Sequence, residues 1–427
     1  MTRFQFSKAL LACTALLLAS LAFSQAGTTV TIGGTGLDYG YGMTAGPNGH
    51  LYGVGVTDGS LPGFTSHGEW DAVLFKLTAD GELVWAQQYG TPATESARDV
   101  AVTTDGAVYV VGQTSGDLGG PNTGDLDAYL ARFSTDGELE WARQFGTPAE
   151  EYAYHVEVDH AGRIIVAGTT WGSMVESSGS GRNVFVAAFD GAGEQLWLVQ
   201  HGISFNSEHN DSVHDMAIGP DGNIYLATSG GVPQVLEPGT AASDYGFMIV
   251  LDAENGERVN SIYGPPASRQ AWRSQNRALA FDAEGSLYML GQFAEVGVGG
   301  GQWFLVRFHP PVFENGKHEL ELDYIVPFRL TAWELVAMDL IVDQQGRPLA
   351  LGVSPTGPTR ADFWGSFVFA LEVNGDEVSS VYSSIVENAT GQDVVLGANG
   401  RLYVSGSLEV AAGATPQYDI FVTLLPE

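Results

Sequence analysis

The feature that most constrains this chain is a sevenfold recurrence of two apolar stretches separated by a tight turn. Successive turn glycines are 54 to 63 residues apart, at Gly49, Gly106, Gly162, Gly222, Gly285, Gly346 and Gly400. A period of this size indicates a repeat architecture, in which each unit buries its apolar face against its neighbours. The repeat therefore restricts the fold strongly, but it leaves the chemistry open.

One repeat shows how the strands are arranged. Residues 99–102 alternate in polarity, turn at Gly106, and return as a second apolar segment at 108–112. Residues 128–133 form a third such segment, which turns into a fourth at 138–141. Alternating segments joined by Asp-Gly turns are the hairpin signal, so each repeat predicts a four-stranded antiparallel meander.

The two ends of the chain complement each other. The last repeat stops at Glu427 without a fourth strand, while residues 29–34 match the pattern of residues 83–90 in a fourth strand. An N-terminal strand that completes the last sheet would close a ring and leave no open edge between its ends. The sequence therefore predicts an all-β, seven-bladed β-propeller that forms a single domain over residues 27–427.

The first 26 residues are typical of a signal peptide. Arg3 and Lys8 precede an apolar run at 9–22, and small residues surround the expected cleavage point after Ala26. We expect secretion to the periplasm, the cell surface or the medium, without a membrane span because no second long apolar run follows. A lipid anchor on Cys13, the only cysteine, is the alternative, although the bulky Leu11 fits a lipoprotein motif poorly.

The net charge excludes some classes of binding partner. The chain carries 18 Lys and Arg against 50 Asp and Glu, a net charge of −32. Such a surface repels nucleic acid and anionic lipid, attracts cations and favours solubility, so we expect a monomer that binds no nucleic acid.

The repeat resembles a known family. The segment from Asp127 to Gly146 (DAYLARFSTDGELEWARQFG), together with the pattern from Asp99 to Gly112, is similar to the bacterial SBBP β-propeller repeat. The first three repeats match closely and the later ones loosely, and the fifth contains an insertion around His309. The resemblance implies a secreted or surface-associated propeller, and it carries no general catalytic signature.

One candidate site is a ring of residues around the predicted channel. The positions seven residues before the turn glycines are expected to begin the innermost strands, and they hold Gly42, Asp99, His155, Asp215, Ala278, Asp339 and Asp393. Four carboxylates and one imidazole could bind Ca²⁺ or another hard cation. The alternative is that each aspartate caps a turn or bonds to the backbone of the next blade.

A second candidate is a segment rich in arginine. Arg269, Arg273 and Arg277 surround Trp272 in what is predicted to be a loop joining two blades. Arginine and indole suit a carboxylated or planar ligand such as a uronic-acid sugar. Alternatively, these arginines pair with the surrounding acids. Trp171 and Trp333, in other predicted loops, could extend a sugar-stacking face.

These observations favour a non-catalytic scaffold that binds a protein, a glycan or a cell-envelope component on its loop face. The alternative is a secreted hydrolase or lyase with its site at the channel mouth. An enzyme is expected to gather titratable groups with shifted pKa values in one funnel. A purely structural envelope protein would have no asymmetric pocket.

Overall fold

The computed structural model describes twelve stretches of the chain: residues 28–175, 181–202, 211–231, 244–263, 271–295, 302–314, 317–328, 336–354, 365–374, 377–387, 389–411 and 417–425. The predicted leader at 1–26, with Cys13, lies outside them. Among the described residues, no helix is long and apolar enough to cross a membrane.

The first three blades are regular four-stranded antiparallel sheets that follow chain order. An additional strand, β1 (Thr29–Ile32), precedes them. Blade one contains β2 (Asp38–Ala45), β3 (Leu51–Thr57), β4 (Asp71–Leu77) and β5 (Leu83–Tyr89), with a short 3-10 helix at Pro47–Gly49. Blade two contains β6 (Glu95–Val102), β7 (Val108–Thr114), β8 (Asp127–Phe133) and β9 (Leu139–Phe145). Blade three contains β10 (Glu151–Val158), β11 (Ile164–Thr170), β12 (Asn183–Phe189) and β13 (Gln195–His201).

The later blades keep this order, with one insertion. Blade four contains β14 (Ser212–Ile218), β15 (Ile224–Gly231), β16 (Asp244–Leu251) and β17 (Arg258–Tyr263). Blade five contains β18 (Ala271–Phe281), β19 (Leu287–Glu295) and β20 (Gln302–Phe308), then a hairpin of β21 (Val312–Glu314) and β22 (Lys317–Glu319), and finally β23 (Leu322–Phe328). Blade six contains β24 (Val336–Val342), β25 (Pro348–Ser354), β26 (Gly365–Asn374) and β27 (Glu377–Glu387). Blade seven contains β28 (Ala389–Leu396), β29 (Leu402–Ala411) and β30 (Gln417–Leu424).

The predicted seven-bladed propeller is confirmed, and so is its closure. β1 pairs antiparallel with β30, placing Val30 opposite Val422 and Ile32 opposite Ile420. The seventh sheet is therefore built from both ends of the chain, in the order β1-β30-β29-β28. This pairing protects the edge that an open ring would leave exposed.

The core lies between successive blades. Tyr52 and Leu74 of blade one pack in one cluster with Val100, Val110 and Tyr129 of blade two. All five side chains are at most 2% exposed, and partly buried apolar side chains surround them. Each sheet is thus apolar on both faces, because both faces contact another blade. No blade can bury its core alone.

The turn glycines that reveal the repeat have a conformational reason. All seven first-turn glycines have φ between 75° and 91°, the left-handed region that a side chain disfavours. At Gly106 an added Cβ would also collide with the Thr135 side chain of the neighbouring turn. The period in the sequence is therefore a record of backbone geometry.

Candidate functional site

The innermost strands of all seven blades surround a central channel. They are β2, β6, β10, β14, β18, β24 and β28, and each packs against the next around the ring. Together with Thr169 of β11 and Arg182, which precedes β12, they line a cavity of about 740 Å³. A concave site of this size lies in the range that small ligands and sugar units occupy.

The predicted ring residues lie in this channel, but not at the strand starts. Asp99, His155, Asp215, Asp339 and Asp393 all line the cavity. The expectation that they begin the innermost strands is wrong, since β6 for example begins at Glu95, four residues before Asp99.

Four of the ring aspartates join neighbouring blades. Asp99 Oδ2 accepts a hydrogen bond from the Val156 backbone N–H of blade three at 2.9 Å, while its Oδ1 accepts from Val100 at 2.8 Å. The same bridge to the next blade recurs from Asp215 to Leu279 at 2.6 Å, from Asp339 to Val394 at 2.9 Å and from Asp393 to Met43 at 2.6 Å. These bonds match the structural alternative for the ring, in which each carboxylate holds the backbone of the next blade.

Burial in the channel alters the acidity of these groups. It raises the pKa of Asp99 to about 7, against the two backbone N–H groups that lower it. Burial and the nearby Asp339 hold the pKa of both Asp215 and Asp393 well above the ordinary value. Burial lowers the pKa of His155 to about 4 and that of His214 to about 3. Low dielectric around the channel therefore disfavours charge of either sign.

Among the described residues, no group of three or more His, Cys, Asp or Glu side chains is arranged to hold a metal ion. Both Asp99 oxygens already accept backbone N–H bonds. The Ca²⁺ ring stays a prediction, which metal titration has to test.

A β-bulge interrupts each innermost strand just before the ring position. The register of β6 against β7 shifts between Ala97 and Asp99, which leaves Arg98 unpaired, and five other innermost strands shift at the equivalent place. In β2 the shift lies between Gly40 and Met43 and so includes both Tyr41 and Gly42. A bulge redirects a side chain away from the regular alternation. The residues at these bulges, all of which line the channel, are Tyr41, Arg98, Tyr154, His214, Arg277, Met338 and Gln392; we call them the bulge ring.

The bulge ring breaks the sevenfold symmetry. The aspartates repeat in four blades, whereas the bulge residues include two arginines, two tyrosines, a histidine, a methionine and a glutamine. Residues that repeat from blade to blade serve the packing of the ring, while chemistry that varies around one cavity indicates a ligand site.

Three arginines face this cavity: Arg98 and Arg277 of the bulge ring, and Arg182, which precedes β12. The Arg98 guanidinium lies 4.3 Å from the Tyr41 ring centroid, and its Nε donates to Gln113 Oε1 at 3.3 Å. The Arg182 guanidinium lies 5.8 Å from the Trp171 ring, while Nε donates to the Asp211 carbonyl at 2.9 Å. The aromatic rings and the acceptors together orient the two guanidinium groups.

Arg277 is held differently. Its Nε is buried and has no hydrogen-bond partner within the described part of the chain, and burial lowers the pKa of the guanidinium. A buried donor without a partner is costly unless a ligand or water satisfies it.

The predicted arginine-rich segment is brought only partly to this site. Residues 271–277 belong to strand β18, so the prediction of a loop there is wrong; the long β18 pairs along its length with β19. Arg277 lines the channel, whereas the side chains of Trp272 and Arg273 lie outside the described residues, as do Arg269 and Trp333 entirely. Trp171 is 43% exposed and contacts Arg182.

Arg98 and Arg182 were not expected from the sequence. Arg98 stands directly before a ring aspartate, and comparing that position across the seven repeats would have shown its chemical variety. Arg182 follows a sequence rich in Gly and Ser, and no pattern in the sequence places it at the channel.

The comparisons with known proteins support the fold. No family model matches the chain. A 166-residue segment, 35% of the chain, is 25% identical to the regulatory protein FlaEY of Caulobacter vibrioides, and covers 17% of that protein. The chain thus spans less than a fifth of this curated relative.

Two solved structures illustrate the likeness in shape. A polysaccharide lyase of family PL25, an ulvan lyase, superimposes with a TM-score of 0.55 at 12% identity, over 93% of this chain and 96% of that one. A fungal alcohol oxidase of the AA5 family superimposes with a TM-score of 0.50 at 12% identity, over 94% of this chain and 76% of that one. These superpositions show a shared β-propeller fold, and at 12% identity they show the fold alone.

Proposed function

We propose that the chain is an exported, non-catalytic β-propeller that binds a glycan, a protein or a cell-envelope component, with the ligand seated in the central channel. The observation that carries this proposal is the bulge ring, whose seven residues differ around one cavity of about 740 Å³. A purely structural ring would have no reason to vary these positions, or to place two arginines among them and a third, Arg182, in the same cavity.

The second candidate is a secreted lyase or hydrolase acting in the same channel. It is favoured by the titratable groups with shifted pKa values that gather there, Asp99, His155 and His214 among them. A propeller similar in shape is described as an ulvan lyase bound to -[GlcA(1-4)Rha3S]-. Against catalysis, the Asp99 carboxylate is already occupied by two backbone N–H groups, which gives its burial a structural role.

One experiment separates these candidates. The purified protein without residues 1–26 would be screened on glycan arrays and on envelope fractions, with Ca²⁺ and with EDTA. The polysaccharides that bind would then be incubated with the protein and assayed for new reducing ends and for unsaturated uronate products. Saturable binding without product supports the scaffold, product formation supports the enzyme, and no binding to any component contradicts both.

Export requires a test of its own. Expression of the full chain in a bacterial host, followed by N-terminal sequencing of protein recovered from outside the cytoplasm, should find cleavage after Ala26. Uncleaved protein retained in the cytoplasm would contradict the proposal of export.

A further inference from the structure

The inference here rests on the proposed function and names the class of ligand. We propose that the channel binds a carboxylated polysaccharide through Arg98, Arg182 and Arg277, with Tyr41 and Trp171 supporting the first two guanidinium groups. We call these five residues the arginine site.

The first argument is that these three arginines form no ion pair with a carboxylate among the described residues. The chain has 18 Lys and Arg and 50 Asp and Glu, so an arginine on this surface readily finds a carboxylate. Five other arginines do so within 3.2 Å: Arg132, Arg163, Arg307, Arg347 and Arg401.

The channel arginines differ from those five. None of Arg98, Arg182 and Arg277 forms an ion pair with a carboxylate in the described part of the chain, and each lies in the cavity. Arg143 and Arg258 also form no ion pair among the described residues, but they lie outside the cavity, where they bond to the Ala192 carbonyl and to His201. Three guanidinium groups gathered in one cavity, which do not pair even with the ring aspartates that line it, indicate a site for an external anion. A guanidinium binds a carboxylate through two parallel hydrogen bonds, which makes carboxylate a fitting ligand group.

The second argument is that the guanidinium groups are oriented in advance. Arg98 is fixed by the Tyr41 ring and by Gln113, and Arg182 by the Trp171 ring, the Asp211 carbonyl and Ser212 Oγ at 2.5 Å. These hydrogen bonds use only some of the N–H groups of each guanidinium. Side chains already held in place lose little conformational entropy when a ligand binds.

The third argument concerns the form of the ligand. Arg98 belongs to blade two, Arg182 to blade three and Arg277 to blade five, so the cations are distributed around the channel. A polymer with a carboxylate on each sugar presents several anionic groups at intervals, which suits this distribution better than a single carboxylate. Sugar rings also stack on aromatic faces, and Trp171 is 43% exposed beside Arg182, while Tyr154, whose ring stacks on Tyr152 at 5.9 Å, lines the channel.

The test is calorimetric titration of the protein lacking residues 1–26 with oligogalacturonate. Two further ligands separate the possible sources of the carboxylate: the fully methyl-esterified oligomer, which keeps the sugar but loses the charge, and citrate, which keeps carboxylates but has no sugar. We expect saturable binding of oligogalacturonate, at least tenfold weaker binding of citrate and no binding of the ester.

The blade repeat supplies conservative variants. Gln392 occupies the bulge of blade seven, so Arg98→Gln and Arg277→Gln introduce a residue that this backbone position already accommodates. We expect each to weaken oligogalacturonate binding about tenfold and the double variant about a hundredfold. The matched control is Arg163→Gln with Arg347→Gln, which changes the net charge equally at turns where both arginines pair with aspartates.

A gain-of-function variant covers the case in which the double variant does not fold. Met338 is the bulge residue of blade six, and Met338→Arg adds a fourth guanidinium to the cavity. We expect it to strengthen binding of oligogalacturonate several-fold and to leave the ester unbound. Unchanged or weaker binding by this variant would count against the arginine site.

The remaining outcomes are decisive in different ways. Equal losses in the channel and control variants, or equal binding of the ester, would overturn the carboxylate site. Citrate binding as tight as that of the oligomer would keep the carboxylate site and overturn the polysaccharide. If envelope fractions or neutral glycans bind while oligogalacturonate and citrate do not, this inference fails and the proposed function survives; if nothing binds, both fail.

Discussion

The Asp99 carboxylate accepts a hydrogen bond at 2.9 Å from the Val156 backbone N–H, so a side chain in the channel joins blade two to blade three. The bond is formed by a group whose pKa burial raises to about 7. An unfolded aspartate titrates near pH 4, as an approximate reference. Between these pH values the folded chain holds a proton that the unfolded chain has released, and stability therefore falls as pH rises.

The variant Asp99→Asn should remove this contribution. Asparagine loses one acceptor, so we expect a variant less stable than the wild type at pH 5. Its deficit should shrink at pH 8 by about 1–2 kcal/mol, a figure reduced for solvent screening in the open channel. Urea denaturation at both pH values measures the difference.

Two comparisons isolate this effect. Burial lowers the pKa values of His155 and His214, so their contribution to stability rises with pH up to about 6.5, opposite to that of Asp99. Both histidines are present in the wild type and in the variant, so their contribution cancels in the comparison. The exposed Asp136→Asn is the control and should leave the pH slope of the wild type unchanged. A deficit of Asp99→Asn that is constant from pH 5 to pH 8 would show that Asp99 is ionised throughout.

Ring closure gives a second prediction. Ile32 is 5% exposed in β1 and lies opposite Ile420, whereas its neighbour Thr31 is exposed. Ile32→Ala should lower the free energy of unfolding by about 2–4 kcal/mol, because it leaves a cavity at the seam of the ring. Thr31→Ala, on the same strand, should cost less than about 1 kcal/mol. Equal effects in chemical denaturation would mean that the seam does not limit stability.

The fold could be predicted because its signals are local. Each turn requires a glycine at positive φ, and each strand alternates or runs apolar, so Gly106 and its six equivalents give the blade count directly. The closure followed from counting, since the last repeat lacks a strand that residues 29–32 supply.

The site could be predicted only in part, because bulges and loop approaches are tertiary features. Alternation alone would place Arg98 on a regular strand face, whereas the bulge turns it into the channel. Arg182 reaches the cavity because blade three packs beside blade four, where it bonds to Asp211 and Ser212. The ring aspartates do line the channel, but in mid-strand rather than at the predicted strand starts. Their bonds to the next blade depend on distances that no sequence pattern supplies.

The turn glycines allow a third prediction with an internal comparison. Gly106 and Gly162 have φ of 91° and 80°, so alanine strains both by about 1–2 kcal/mol. An added Cβ meets Thr135 at Gly106 and finds nothing within 4 Å at Gly162. Gly106→Ala should therefore be the more destabilising by a further 1 kcal/mol or so. Thermal unfolding that ranks the two variants in the opposite order would contradict this account.

The inserted hairpin of blade five provides the last prediction, because one histidine attaches it to blade four. His318 on β22 is buried, and its Nε2 lies 2.8 Å from the Tyr225 hydroxyl and 3.0 Å from Asp221 Oδ2. Asn260 Nδ2 donates to the His318 carbonyl at 3.1 Å. His318→Ala removes the imidazole and leaves the Tyr225 hydroxyl bonded to Asp221 alone, so the loss of stability should be about 1–3 kcal/mol and largely local.

Hydrogen exchange of the His318→Ala variant should then be faster in residues 312–314 and 317–322, while β6 to β9 keep their protection. The exposed Glu319→Ala on the same strand should leave exchange unchanged, and equal acceleration by both variants would show that His318 does not hold the hairpin.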